Sequence, residues 1–193
     1  MLEKFTWINE PEKFKVLPNN QLELTTENGT DLWQRTHYGF SAINAPMFVT
    51  SVTEPKFDFS VKTTFQSNFL YDQCGIVVYI DDNNWAKFSS EFENLVFQRL
   101  GGVVTQSGYS DWATTNISSE IKEIYYRINR QENNFIVEAS YDGSDYFQLR
   151  IFNLNYDKPI DKISIGVYGC SPQGSGFKSI FTKFRLSEIN NKK

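Results

Sequence analysis

The chain has one histidine, two cysteines and no concentration of positive charge among its 193 residues. Cys74 and Cys170 lie far apart, so they form no disulfide framework, and both are expected to be thiols in a reducing compartment. One His and two separated Cys give no zinc spacing. Asp81-Asp82-Asn83-Asn84 lacks the spacing of a calcium loop and reads as a hairpin turn. Neither metal nor cofactor is therefore expected. The phosphate-cradling glycine loop, the dinucleotide fingerprint and the Gly-x-Ser-x-Gly elbow are all missing. Net charge is −4 and only Lys192 and Lys193 stand together at the tail, which argues against a nucleic-acid partner. There is no apolar run long enough to span a bilayer, so no membrane partner is expected. The opening Met1-Leu-Glu-Lys-Phe-Thr-Trp7 is charged and lacks the apolar centre of a signal peptide. These absences point to a cytoplasmic protein.

Aromatic residues are abundant: 17 Phe, 10 Tyr and 4 Trp. They suit the pleated, half-buried surface of a sheet, and alternation with period two runs through the chain. Phe57, Phe59, Val61, Thr63 and Phe65 alternate with polar residues, as do Ile124, Tyr126 and Ile128. Phe135 to Tyr141 and Phe147 to Ile151 follow, with a turn at Asp142-Gly143 between them. Ile163 to Val167 predicts another strand. Lys178 to Leu186 predicts a last one, with Ile180, Thr182, Phe184 and Leu186 inward. Glu120 to Tyr125 has room for one helical turn, and no segment sustains a helical period. Gln106 to Glu120 and Cys170 to Gly176 read as long loops. Many strands without helical crossovers predict an all-β antiparallel sandwich. A single domain over 1–193 is expected, since such folds reach roughly 200–250 residues undivided.

Four stretches offer chemistry. If Thr30 to Phe40 is extended, Asp31, Trp33, Arg35 and His37 form one row. A carboxylate, an indole and a guanidinium suit a ligand with hydroxyls and an apolar ring face, and His37 is the natural proton carrier near neutrality. The same residues also fit an Asp31–Arg35 surface pair with the rings packed beside it. In the second stretch, Trp85, Lys87, Ser89 and Glu91 share a strand face opposite Phe88. Lys87 and Glu91 would stand about 13 Å apart at Cα in an ideal strand, too far to pair directly. They would serve different points of one groove, unless the strand simply faces solvent. In the third, Tyr71 and Gln73 share a face, with Asp72 and Cys74 opposite and Cys74 inward as a small buried thiol. The fourth, Ser110-Asp111-Trp112, is placed to close one end of a groove, and Arg127 is a candidate anion clamp.

Together these motifs resemble a known family. They are Asn9-Glu10-Pro11, Thr30 to Phe40, Tyr71 to Gly75, Asn84 to Lys87, Glu91-Phe92, Val103 to Thr105, Ser110 to Trp112, Ser140 to Gly143 and Cys170 to Pro172. In that order, from about Phe5 to Leu186, the chain is similar to the uncharacterised family typified by the regulation-of-enolase protein. The resemblance implies a jelly-roll β-sandwich of the concanavalin A-like lectin/glucanase type, with sugar binding or glycoside hydrolysis known in the wider superfamily. The chain departs from the family in Phe88-Ser89-Ser90 between Lys87 and Glu91, and in Cys74 where alanine is more usual.

The expected function is binding, with or without processing, of a small molecule or oligosaccharide in a polar and aromatic groove. His37, Glu91 and Lys87 are the candidates for proton transfer. Asp31, Trp33, Arg35, Tyr71, Gln73, Trp85, Asp111, Trp112 and Arg127 are the candidates for ligand contact. One alternative is a metal-independent glycosidase pairing Glu91 with Asp31 or Asp111. Its carboxyls would have to stand roughly 5–5.5 Å apart for retention or 6.5–9.5 Å for inversion. The other is a regulatory module of carbohydrate metabolism with a protein partner.

Overall fold

The computed structural model describes residues 1–154 and 160–188. Sixteen strands follow a short 3-10 turn at Leu2–Lys4, and every strand pairing among the described residues is antiparallel. One seven-stranded sheet runs β1 (Thr6–Ile8), β6 (Met47–Val52), β15 (Ile163–Cys170), β8 (Gln73–Asp81), β9 (Asn84–Phe92), β10 (Phe97–Gln106) and β11 (Tyr109–Ser118). The other runs β14 (Phe147–Asn153), β13 (Asn134–Ser140), β12 (Glu123–Gln131), β7 (Lys56–Gln66), β16 (Lys178–Glu188), β3 (Gln21–Thr25) and β2 (Lys13–Leu17). A small hairpin, β4 (Leu32–Gln34) with β5 (Ser41–Ile43), completes the fold. No helix among the described residues is long and apolar enough to cross a membrane.

The main core lies between the sheets. Phe57, Phe59, Val61 and Phe65 of β7 meet Cys74, Ile76 and Val78 of β8, Phe88 of β9 and the inward residues of β12, β13 and β15. Full burial of side chains of this size contributes about 1.5–3 kcal/mol each. The alternation that predicted these strands is thus the alternation between core and exterior.

A second, smaller cluster decides where the site sits. On the outer face of the first sheet, Met47, Val49, Val77, Trp85, Val103, Tyr168 and Cys170 pack with Leu32 and Trp33 of the β4–β5 hairpin. The hairpin is pinned there by polar contacts. The Gln34 backbone N–H donates to Ser110 Oγ at 2.9 Å, and Gln34 Nε2 donates to the Asp82 carbonyl at 2.8 Å. One sheet therefore has apolar material on both faces.

Four local expectations are corrected. The segment Gln106 to Glu120 is mostly strand: Ser107 and Gly108 turn with positive φ, and β11 pairs with β10 from Gln106↔Tyr109 onward. Its alternation is weak because β11 is a largely exposed edge strand. Glu120 to Tyr125 contains no helical turn: a hydrogen-bonded turn at Ser119–Glu120, closed by the Ile121 N–H donating to the Ser118 carbonyl, leads into β12. In β16, a bulge between Thr182 and Arg185, with Lys183 at φ 55°, shifts the inward phase. Phe181 and Ser179 are buried before the bulge and Phe184 after it, in place of Ile180 and Thr182. Finally, Thr30 to Phe40 is not extended throughout. β4 ends at Gln34, and Arg35, His37 and Gly39 all take positive φ.

Candidate functional site

The outer-face cluster leaves a cavity of about 470 Å³ beside the β4–β5 hairpin, within the ~300–1,000 Å³ range of small-molecule sites. Strand register builds its floor. Gln73 on β8 stands opposite Glu91 on β9, and Lys87 stands between Val77 and Val103 of the flanking strands. Lys87 is 4% exposed, with its stem among valines and its ammonium at the cavity floor. Lys87 Nζ donates to Gln73 Oε1 at 3.0 Å and pairs with Asp31 Oδ1 at 3.3 Å. Gln73 Nε2 donates to Glu91 Oε2 at 2.7 Å and to the Tyr71 carbonyl at 3.2 Å. The separation that keeps Lys87 from Glu91 along β9 is thus bridged by one amide from the neighbouring strand. An ammonium can only donate, so the Gln73 oxygen must face Lys87 and its nitrogen Glu91.

Tyr168 adds a third arm. It pairs across β15–β8 with Gly75, and Gly75 pairs across β8–β9 with Ser89. Tyr168 reaches across β8 to β9. Its hydroxyl lies 2.8 Å from Ser89 Oγ and 2.9 Å from Gln73 Oε1. Asp31 is held from outside the sheet. Its backbone N–H donates to Asn44 Oδ1 at 2.9 Å, and Asp31 Oδ1 accepts from the Leu32 N–H at 2.7 Å.

Burial governs the electrostatics. It pushes the Glu91 carboxyl up to about 7, with Asp31 and Glu93 acting in the same direction and Lys87 and Arg99 opposing. Part of the Glu91 surface still meets the cavity, but protein surrounds the carboxyl closely enough for desolvation to dominate. For Lys87 burial disfavours the charge, yet the carboxylate of Asp31, which also accepts its hydrogen bond, and Glu91 outweigh it and raise its pKa above the usual lysine value. The Tyr168 phenol and Cys170 thiol are both pushed up by burial and stay neutral.

The walls are aromatic: Trp33, Tyr38, Phe40, Tyr71 and Trp112 line the cavity, with Pro172 and Gln173 at one side. Trp33 meets Trp112 edge-on at 6.5 Å (82°) and Tyr38 at 5.5 Å, and Trp33 Nε1 donates to the Thr36 carbonyl at 3.2 Å. Apolar plates above a charged, hydrogen-bonded floor can hold a molecule that has both ring faces and hydroxyls.

Of the residues singled out from sequence, Asp31, Trp33, Tyr71, Gln73, Lys87, Glu91 and Trp112 meet in this cavity. Five do not. His37 lies on the exposed hairpin turn with its ring edge-on to Tyr38 at 4.8 Å, away from the floor. Arg35, turned by its positive φ, stacks over Tyr109 at 5.6 Å. Trp85 shares the Lys87 face but is completely buried beneath the hairpin, its Nε1 bonded to the Asp82 carbonyl. Asp111 alternates with Trp112, so it faces the other way and pairs with Arg150 of β14 at 2.8 Å. Arg127 lies on the outside of the second sheet, paired with Glu138 at 2.7 Å. Tyr38, Phe40 and Tyr168 were not singled out. For Tyr168 the signal existed, since inward Ile163, Ile165 and Val167 turn Tyr168 and Cys170 outward. Among the described residues no group of three or more His, Cys, Asp or Glu side chains is arranged to hold a metal ion.

Comparison with known proteins places this geometry. The chain is 28% identical over 186 residues to Regulation of enolase protein 1 of Saccharomyces cerevisiae, covering 96% of this chain and 90% of the relative. It superposes on the crystal structure of a functionally unknown protein from Saccharomyces cerevisiae with a TM-score of 0.89 and 26% identity, covering 98% and 99% of the two chains. More distant likenesses share the fold alone. The GH43 protein BlXynB from Bacillus licheniformis matches with a TM-score of 0.69 at 15% identity, over 96% of this chain but 37% of that one. Lectin I-B4 from Griffonia simplicifolia matches at 0.59 and 10% identity, covering 96% and 93%. The sandwich is therefore an antiparallel jelly roll of the lectin/glucanase type. A family model matches residues 7–189, and the chain belongs to that family, DUF1349, described as a protein of unknown function.

Proposed function

We propose that the chain binds a small hydroxyl-rich ligand of the carbohydrate class in the cavity between the β4–β5 hairpin and the outer face of β8–β9–β10. The observation that carries this reading is the joining of Asp31, Lys87, Gln73 and Glu91 into one hydrogen-bonded floor beneath aromatic walls. A floor of that kind bonds hydroxyls, and the rings cover the apolar face of a pyranose or furanose. Lectin and GH43 neighbours with the same fold agree with the reading by analogy. Glu91, with its pKa about 7, is suited to proton transfer near neutrality, so turnover of the bound ligand belongs to the same reading.

The test is a thermal-shift screen against mono- and oligosaccharides, with every hit followed for product by NMR. Binding to the folded state alone raises the melting temperature. An unchanged ligand identifies a binding protein and a converted one an enzyme. A panel in which no sugar shifts the melting temperature refutes the proposal.

A second reading is regulatory contact with another protein, which the name of the yeast relative favours. One surface feature supports it: Leu95 and Val96, on the turn between β9 and β10, are 90% and 78% exposed. Loss of partner capture on Leu95→Ser and Val96→Ser substitution, with sugar binding unaffected, would separate this surface from the cavity.

A further inference from the structure

We infer that the cavity selects uncharged sugars and rejects their acidic counterparts, such as uronates and sugar phosphates. This inference rests on the proposed carbohydrate site and specifies its ligand class. The observation behind it is the pairing of positive charge around the cavity. Lys87 is the one cation lining it among the described residues, and its ammonium is already set against Asp31 at 3.3 Å. Arg99 lies over the outer wall, 5.7 Å from the Trp112 ring, but Glu93 holds its Nε at 2.8 Å. Arg35 is turned away onto Tyr109. An incoming anion would find no unpaired cation, while the carboxyls of Asp31 and Glu91 line the same space.

The valences left on the floor fit a diol. Lys87 uses two of its three donors, on Asp31 and Gln73. Asp31 Oδ1 accepts from Leu32 and Lys87, and Glu91 Oε2 accepts from Gln73, which leaves Asp31 Oδ2 as an open acceptor, joined by Glu91 Oε1 once that carboxyl ionises above its pKa of about 7. Floor capacity is therefore one donor and two acceptors. Two neighbouring hydroxyls match that set: each donates once to a carboxyl oxygen, and one also accepts from Lys87. Above the Glu91 pKa a carboxylate or phosphate can only accept, so against this floor it would leave both open acceptors facing negative charge. Like charges at short range inside a partly desolvated site cost enough to lower affinity by roughly tenfold or more.

The experiment is calorimetric titration of the intact protein at pH 8, where Glu91 is ionised, with matched probes: glucose, glucuronate and glucose 6-phosphate, then galactose, galacturonate and galactose 6-phosphate. The expected result is that at least one neutral sugar binds and its acidic partners bind roughly tenfold or more weakly. The Asp31→Asn variant, which frees the Lys87 charge, should narrow or invert that ratio, a change that a merely structural role for Asp31 would not produce. Where Asp31→Asn fails to fold, Glu91→Gln serves instead, because it removes negative charge from the same floor and should also narrow the ratio. Acidic sugars binding as tightly as neutral ones, or alone, would overturn the inference and leave the carbohydrate reading standing. Silence from every sugar would remove both. An unchanged ratio in the variants that fold would show that these charges do not set selectivity, and would overturn it as well.

Discussion

Replacing Glu91 by Gln should change how stability depends on pH. The Glu91 carboxyl sits at about 7 in the folded protein, against an ordinary value of 4.5. The folded state therefore holds this proton more tightly than the unfolded chain does. Between those two values the native state carries the proton while the unfolded state has lost it, so stability falls as pH rises through the window. At roughly 1.4 kcal/mol per pH unit the full loss is about 3 kcal/mol. The groups that face this carboxyl are Lys87 and Glu93 on either side of it in the chain, Gln73 from β8, Arg99 from β10 and Asp31 from before β4. The amide oxygen introduced by Glu91→Gln would still accept from Gln73 Nε2, so the substitution removes the titration and keeps the hydrogen bond. Urea denaturation of both proteins from pH 5 to pH 8, followed by tryptophan fluorescence, measures the difference. The variant should gain on the wild type as pH rises, approaching about 3 kcal/mol at pH 8. Parallel pH profiles would refute the claim that burial raises the pKa of this carboxyl.

Further outcomes follow from the same geometry. Gln73→Leu removes the amide shared by Lys87 and Glu91; Lys87 keeps Asp31, but Glu91 Oε2 loses its partner, and a buried polar group left unpaired costs about 1–3 kcal/mol, readable in the denaturation midpoint. In Gly75→Ala the new methyl would run into the Phe88 carbonyl of the neighbouring strand, forcing β8 and β9 apart and lowering the melting temperature. A melting temperature equal to that of the wild type would contradict this packing. Trp112→Ala should weaken sugar binding with little change in stability, since Trp112 is 36% exposed, whereas His37→Ala should leave binding unchanged. Phe57→Lys or Phe135→Lys places a charge in the inter-sheet core and should abolish cooperative unfolding.

Sequence alone determined which strands form the sandwich core, because burial between two sheets follows a local period of two that Phe57 to Phe65 and Ile124 to Ile128 carry in plain view. It also put Lys87, Ser89 and Glu91 on one face of β9, and Tyr71 with Gln73, for the same reason. Exposed edge strands carry little contrast between their faces, which is why β11 read as a loop. A bulge that costs one residue of register, as at Lys183, leaves no mark on composition. What only the tertiary structure decided is which of these polar faces becomes a site. Nothing local says that β4–β5 folds back onto the outer face of β8–β9–β10, burying Trp85 and bringing Asp31 to Lys87 across 56 residues of chain. The left-handed residues of the hairpin turn sent Arg35 and His37 outward, and the pairing of β15, β8 and β9 brought the Tyr168 hydroxyl to Ser89. Alternation is a property of neighbours in the chain, whereas the cavity is a property of strands that meet only after the sheet has assembled.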